Sequence, residues 1–362
     1  MRGRNQALDV LRGIAVLMVL LCHYSPKLGF GGYGVDLFFV LSGFLISGLL
    51  FEEFKATGKI NVKRFWIRRG FKIYPPFYVF LLLTCLGLWI ITGGVPHEVV
   101  ADIFFVQNYF PHLWMHGWSL AVEEHFYLAL PLLFLLLLSL GRQKASCFRA
   151  IPIISIGLSI FCAYLRIVAS RHAHSWDDVF APTHLRMDSL FAGVTLGYYA
   201  HFDAASFREA RKNGVLFLGL LLITPALFFP ATVLGVTLAY VAFACVVAWS
   251  ANQAPSSNRV LRGLAWIGFY SYSIYLWHGA MQVFFDVALR SMPHVWRFPL
   301  FVTSTVMVGV GMSKLVELPA LKIRNRLFPS LTAPKPSHIE VSTAPVAAPA
   351  AVLELETAAA QD

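Results

Sequence analysis

This sequence predicts an all-α, polytopic membrane protein, and three observations predict it. Of 362 residues, 57% are hydrophobic and 13% charged, with a mean hydropathy of +0.65, too apolar for a water-soluble domain of this length. The apolar residues fall in runs of about 20, the number a helix needs to cross the hydrocarbon core of a bilayer. Lys and Arg recur on alternate connections between those runs, the pattern of a chain threading back and forth across a membrane.

Taken in order, helices are expected near 8–25, 35–54, 74–92, 119–140, 149–169, 185–202, 214–230, 231–250, 264–288 and 298–320, about ten in all. The first follows arginines, as a signal peptide does, but Asp9 and Arg12 interrupt it and no small-residue cleavage site follows, so it is expected to stay as a span. The second loop carries Lys55, Lys59, Lys63, Arg64, Arg68, Arg69 and Lys72, whereas the third, 93–118, has no Lys or Arg. Arg142, Lys144 and Arg149 mark the fourth loop, Arg208, Arg211 and Lys212 the sixth, Arg259 and Arg262 the eighth, and Lys322, Arg324 and Arg326 the segment after the last span. Even-numbered loops and both termini are then expected in the cytoplasm, with Arg166 and Arg171 fitting that rule least well. The net charge of +10 reads as this orientation signal and not as a nucleic-acid footprint. Residues 329–362 are rich in Ala and Pro without periodicity and are expected to form a disordered cytoplasmic tail after a membrane domain of 1–328. Five cysteines, an odd number without C-x-x-C spacing, give no metal or redox site.

Ionisable side chains inside the apolar runs are the candidates for chemistry, because a charge in hydrocarbon is costly and is a functional-site hypothesis by default. In LDVLRGIAVLMVLLCHY, Arg12 and His23 lie eleven residues apart, which puts them on one helix face about 16 Å apart along the axis. His23 has the ordinary titration range of a general acid or base, and also the option of a satisfied interfacial histidine. Arg12 is readable as a snorkelling anchor neutralised by Asp9 one turn earlier.

The run KRFWIRRGFKIYPP at 63–76 reads as a positive-inside stop before a Pro-started helix, and also as an anion site in which Arg68, Arg69 and Lys72 meet phosphates. In GWSLAVEEHFYLALP, Glu123 and Glu124 precede His125 at the mouth of a span, where one carboxylate is placed to orient an imidazole. GGYGVDLFFVLSGFLISGLL carries Asp36 and the small residues Ser42, Gly43, Ser47 and Gly48, a signature first of close helix packing. THLRMDSLFAGVTLGY holds Arg186 and Asp188, readable as an interfacial ion pair, and YSYSIYLWHG holds His278 among aromatics, readable as a satisfied core histidine. Glu317 in ELP falls near the inner end of the last span. Without further constraint, buried His and Arg of this kind suit a transporter or flippase relay, or a non-catalytic scaffold, as well as an enzyme.

Together, and in this order, LDVLRGIAVLMVLLCHY, GVDLFFVLSGFLISGLL, RRGFKIYPP, WSLAVEEHFYLALP, LRMDSLFAGVTLGY, YSYSIYLWH and VELP, spanning about residues 5 to 325, resemble the acyltransferase-3 family of integral-membrane acyltransferases. That resemblance implies transfer of an acyl group, acetyl in the first instance, from cytosolic acyl-CoA to a hydroxyl of a cell-envelope or exported glycan. It implies a multi-pass protein of the inner (plasma) membrane whose partners are acyl-CoA, a glycan or lipid-linked glycan and the bilayer. No bound cofactor, metal or nucleic acid is implied, since acyl-CoA is a co-substrate. Arg12 and His23 match the family's Arg-x10-His element, with His23 the catalytic histidine. Arg69 and Lys72 match its Arg-x-x-Arg element, Lys72 standing where Arg is usual and so offering a charge without a bidentate fork. His125 stands where Gln is common. The implied site is then catalytic His23 with Glu123 or Glu124 holding the imidazole, Arg12, Arg68, Arg69 and Lys72 on the donor, and Asp36, Ser42, Arg186, Asp188 and His278 as further lining.

Overall fold

A computed structural model describes residues 5–24, 32–141, 147–175, 177–210, 212–229 and 232–329. Every regular element among the described residues is helical. Arg142, Lys144, Arg211 and the tail from residue 330 lie outside them.

In chain order the helices are α1 (Gln6–Tyr24), α2 (Tyr33–Thr57), α3 (Val62–Thr92), α4 (Val99–Ile103), α5 (Trp118–Leu140), α6 (Ile151–Ser170), α7 (Asp177–Phe180) and α8 (Met187–Phe202). They continue as α9 (Ala204–Glu209), α10 (Asn213–Phe228), α11 (Val233–Ala251), α12 (Arg259–Phe269), α13 (Ser271–Ala288), α14 (His294–Met312) and α15 (Leu318–Leu327). Among the described residues, seven helical stretches are long and apolar enough to cross a membrane: Gln6–Tyr24, Tyr33–Thr57, Val62–Thr92, Met115–Leu140, Cys147–Ser170, Val233–Ala251 and Val295–Leu327. The expected segments at 185–202 and 214–230 form α8 and α10, each 16 residues long, or about 24 Å, short of the hydrocarbon thickness unaided.

Two boundaries differ from the expectation. The helix expected at 74–92 starts at Val62, where the Asn61 side chain accepts from the Arg64 amide at 3.0 Å, and it runs through Pro75 and Pro76. The basic run is therefore helical, not a loop, and Arg69 and Lys72 share a face one turn apart. Neighbouring helices let a buried helix tolerate such prolines, and here the Tyr272 hydroxyl donates to the Ile73 carbonyl beside them at 2.9 Å. The segment expected as one helix at 264–288 is two. Tyr270, at φ −98° and ψ 6°, closes α12 with a three-residue turn onto Ile267 O, and its own carbonyl accepts from Ile274 N to begin α13. That turn presents Phe269, Ser271, Tyr272 and Tyr275 to one cavity wall.

The two ends of the bundle differ in charge. At one end Asn5 and Gln6 donate to the carbonyls of Ala251 and Ser256, Lys55 donates to His201 O, and Arg64 and Arg68 donate to the carbonyls of Pro329 and Phe328. Lys55, Arg64 and Arg68, from the most basic connection, gather there. At the other end Tyr33 OH donates to Ala226 O at 3.0 Å, and Asn108 Nδ2 donates to Thr183 Oγ1 at 2.7 Å. Alternating basic charge in the sequence thus maps onto opposite ends of one bundle.

Close packing accounts for the small residues of α2. A Cβ on Gly193 of α8 would stand 2.9 Å from the Gly43 Cα, so the two backbones meet at a glycine pair, the small-residue contact expected between membrane helices. Two buried ion pairs brace the same region. Arg186 donates to Asp36 at 2.6 Å, with Ser189 Oγ donating to the same carboxylate oxygen at 3.1 Å. Arg166 grips both oxygens of Asp188, at 3.1 and 2.6 Å, and the Leu185 carbonyl at 2.6 Å. Arg186 and Asp188 are therefore not paired with each other. Arg166 is fully buried in α6, which is why it departs from the loop-charge rule: it faces a carboxylate in the protein, not the water outside the membrane.

Candidate active site

Two helices carry three cations to one cavity. Arg12 on α1 and Arg69 and Lys72 on α3 line a space of about 100 Å³, together with Ser42 of α2, Ser119 and Glu123 of α5, and the aromatic wall at Tyr272 and Tyr275. Arg69 Nη2 donates to the Tyr127 hydroxyl at 2.5 Å while its guanidinium stacks 4.0 Å from the centre of the same ring. Tyr127 in turn shares a 2.5 Å hydrogen bond with Ser42 Oγ. Lys72 is ion-paired with Glu317. Glu317 also accepts from Ser273 at 2.6 Å and Ser313 at 2.9 Å, and it closes a π-helical turn, Ser313–Glu317, between α14 and α15. Turns of that type recur at functional sites. Arg12 meets Asp9 at 3.4 Å, as the one-turn spacing implies. Arg68, by contrast, is turned to the Phe328 carbonyl and is absent from the cavity lining.

Beyond Tyr275 stands a column of three histidines. The His278 ring is flanked by His23 at 4.7 Å and His116 at 4.6 Å between centroids, both edge-on. His278 Nδ1 hydrogen-bonds the Tyr275 carbonyl. A carbonyl only accepts, so Nδ1 carries a proton, and Nε2 is buried with no hydrogen-bond partner among the described residues. His116 Nε2 donates to Leu276 O at 3.1 Å. Tyr275 joins the column to the cavity: its ring lies 5.0 Å from that of His278, its hydroxyl donates to His116 O at 2.7 Å and pairs with Ser119 Oγ at 2.5 Å. At the end of α1, Gln282 of α13 donates to the His23 carbonyl at 3.0 Å, satisfying one of the carbonyls a helix leaves open at its C-terminus.

The expected residues divide accordingly. Arg12, Ser42, Arg69, Lys72 and Glu123 meet in the cavity, His23 and His278 meet in the column, and Asp36, Arg186 and Asp188 belong to the bracing ion pairs. The two carboxylates lie apart from the imidazole they were expected to hold. Glu123 has Arg69, Ser42, Tyr127 and Arg12 around it, and Glu124 accepts from Tyr74 at 2.5 Å. His125 turns away to Thr183 at 2.7 Å. His116 was not anticipated, because it sits in a polar connection where histidine is unremarkable. Its one trace in the sequence is Gly279 after His278: a Cβ there would strike the His116 ring.

A polytopic helical bundle with a cation-lined cavity beside buried imidazoles is the class of protein the geometry defines. The chain belongs to the acyltransferase-3 family, whose model, described as an acyltransferase domain, matches residues 5–314. It is 27% identical to the peptidoglycan O-acetyltransferase OatA of Listeria monocytogenes over 87% of this chain and 56% of that protein. It is 29% identical to the O-acetyltransferase OatA of Staphylococcus aureus over 87% of this chain and 57% of the relative. A putative O-acetyltransferase of Staphylococcus aureus is 35% identical over 53% of this chain and 34% of its own length. The match thus covers between 34% and 57% of the lengths of these curated relatives. No solved structure matches it.

Proposed function

We propose that this protein is a membrane-bound O-acyltransferase that moves an acyl group, acetyl in the first case, from cytosolic acyl-CoA to a hydroxyl of a cell-envelope or exported glycan, with His23 as general base. The observation that carries the reading is the cation-lined cavity ending at Tyr275, with the histidine column directly behind that ring. Arg12, Arg69 and Lys72 are suited to the phosphates of the donor, Arg69 through a planar fork and Lys72 as a point charge. Glu123 partly offsets that cationic wall, and the His278 ring positions His23 by packing against it. The relatives' names support acetyl as the group and a glycan as the acceptor.

In the transfer, the acceptor oxygen attacks the thioester carbonyl as its proton passes to His23. The new C–O bond forms, the C–S bond breaks, and the imidazolium returns the proton to the departing thiolate, leaving an ester, free CoA and neutral His23. The test uses the purified full chain in lipid nanodiscs, labelled acetyl-CoA, and envelope glycan from the source cell stripped of esters by mild alkali. Alkali-labile label on the glycan is expected from the wild type and not from a normally expressed His23→Ala variant. Label from that variant sinks the assignment of His23. No label from the wild type sinks the enzyme and favours a carrier of donor or glycan.

A further inference from the structure

His23 borders a second space that does not belong to the cation-lined cavity. Toward the end of the bundle away from the basic connections, a pocket with room of about 50 Å³ is lined by His23, Tyr24, Gln282, Asp286, Arg297 and Phe301. We propose that this pocket seats the acceptor, holding one hydroxyl-bearing edge of an uncharged sugar against His23. The inference rests on the reading of His23 as the general base.

Charge separates the two spaces. The lining of the donor cavity carries Arg12, Arg69 and Lys72 with Glu123. Asp9 and Glu317 pair with Arg12 and Lys72 from outside that lining, so the wall itself presents three cations and one carboxylate, which suits phosphates. The pocket at His23 holds one carboxylate and one guanidinium, Asp286 of α13 and Arg297 of α14, paired with each other. That balance gives an anion no advantage, whereas a sugar hydroxyl, which both donates and accepts, can bond to each member of the pair. Gln282 lies at the inner wall, where its amide nitrogen donates to the His23 carbonyl and its side chain also hydrogen-bonds the His23 imidazole, so it holds the ring that the sugar meets. Tyr24 supplies an aromatic wall, held by Phe298 at 4.8 Å and Phe301 at 6.0 Å between centroids, against which the C–H face of a pyranose can lie. The volume admits a few water-sized groups and not a whole sugar, so the acceptor enters by an edge while the rest of the glycan stays outside. Asp286 is 58% exposed and Arg297 12%, so the carboxylate stands at the mouth and the guanidinium lies deeper. Donor and acceptor then reach the histidine column from opposite ends of the bundle, so a hydrophilic glycan does not need to pass through the donor cavity.

The experiment is steady-state kinetics of the full chain in nanodiscs with acetyl-CoA and the ester-stripped glycan. Arg297→Gln and Asp286→Asn are each expected to raise the apparent KM for glycan about tenfold or more, the loss of a charge-assisted hydrogen bond. The KM for acetyl-CoA is expected to stay within about twofold, because the donor is held elsewhere. A charge-swapped protein, Asp286→Arg with Arg297→Asp, keeps an ion pair between α13 and α14 but reverses what the sugar meets, and its glycan KM is expected to stay high. Tyr24→Leu, which leaves the charges alone, serves as the second variant should a charge variant fail to fold, and a higher glycan KM is expected there too. Restoration of the glycan KM by the swap would reduce the pair to a helix tie and overturn the proposal. An equal shift in both KM values, or no shift, overturns it as well while leaving the acyltransferase reading intact. A wild type that labels no glycan overturns both.

Discussion

Arg166, fully buried, and Arg69, half-buried, both lie in helices that suit a membrane, and they have different work. Arg166 is enclosed by Asp188 and the Leu185 carbonyl, with both terminal nitrogens on the carboxylate. Arg69 gives one terminal nitrogen to a neutral phenol, Tyr127, and lines a cavity shared with two more cations. A charge at membrane depth is therefore not a functional signal by itself. It becomes one when the protein leaves it facing space that a ligand can enter.

The first way to break this contrast is Arg166→Met, which strands Asp188 as an uncompensated buried charge at a cost of about 3–5 kcal/mol. Loss of folded protein in detergent, read by size-exclusion and thermal melting, is the expected outcome. Adding Asp188→Leu is expected to recover the melt, since replacing a whole buried pair by apolar groups is often neutral. Stable protein from the single variant would mean that the pair is not a brace. Next in size is His23→Ala, expected to lower kcat about a thousandfold with the melt unchanged, the usual worth of a general base. Arg69→Gln sharpens the other side of the comparison. The KM for acetyl-CoA is expected to rise about tenfold to a hundredfold from the lost charge-assisted contacts, with folded yield retained, whereas loss of fold would place Arg69 beside Arg166. Gly279→Ala is the smallest change, with an expected cost of about 1–3 kcal/mol in stability as the new methyl displaces the His116 ring. Its activity is expected to fall through kcat and not through the donor KM, because the column moves and the cavity does not.

Much of the fold was legible along the chain. The apolar runs and the alternation of basic loops located the helices and the two ends of the bundle, because run length and loop charge are local properties that a bilayer reads directly. The pairing of Asp9 with Arg12 followed from helical spacing alone. The start of α3 was missed because Pro75 and Pro76 read as a helix opening, and tertiary packing lets the helix continue through them. The break at Tyr270 was missed because YSYSIYLWHG carries neither proline nor a polar run to announce it.

By itself, then, the sequence determined the fold class, the family and the helix face on which Arg12 and His23 stand. The tertiary structure decided their company. Arg186 took Asp36 at 150 residues' separation and Lys72 took Glu317 at 245, while His23 took His278 in place of a carboxylate. Helix periodicity arises from hydrogen bonds four residues apart, so it is written locally. The partner of a buried charge depends on which helices lie side by side, and contacts such as Gly43 against Gly193 settle that through close approach of backbones.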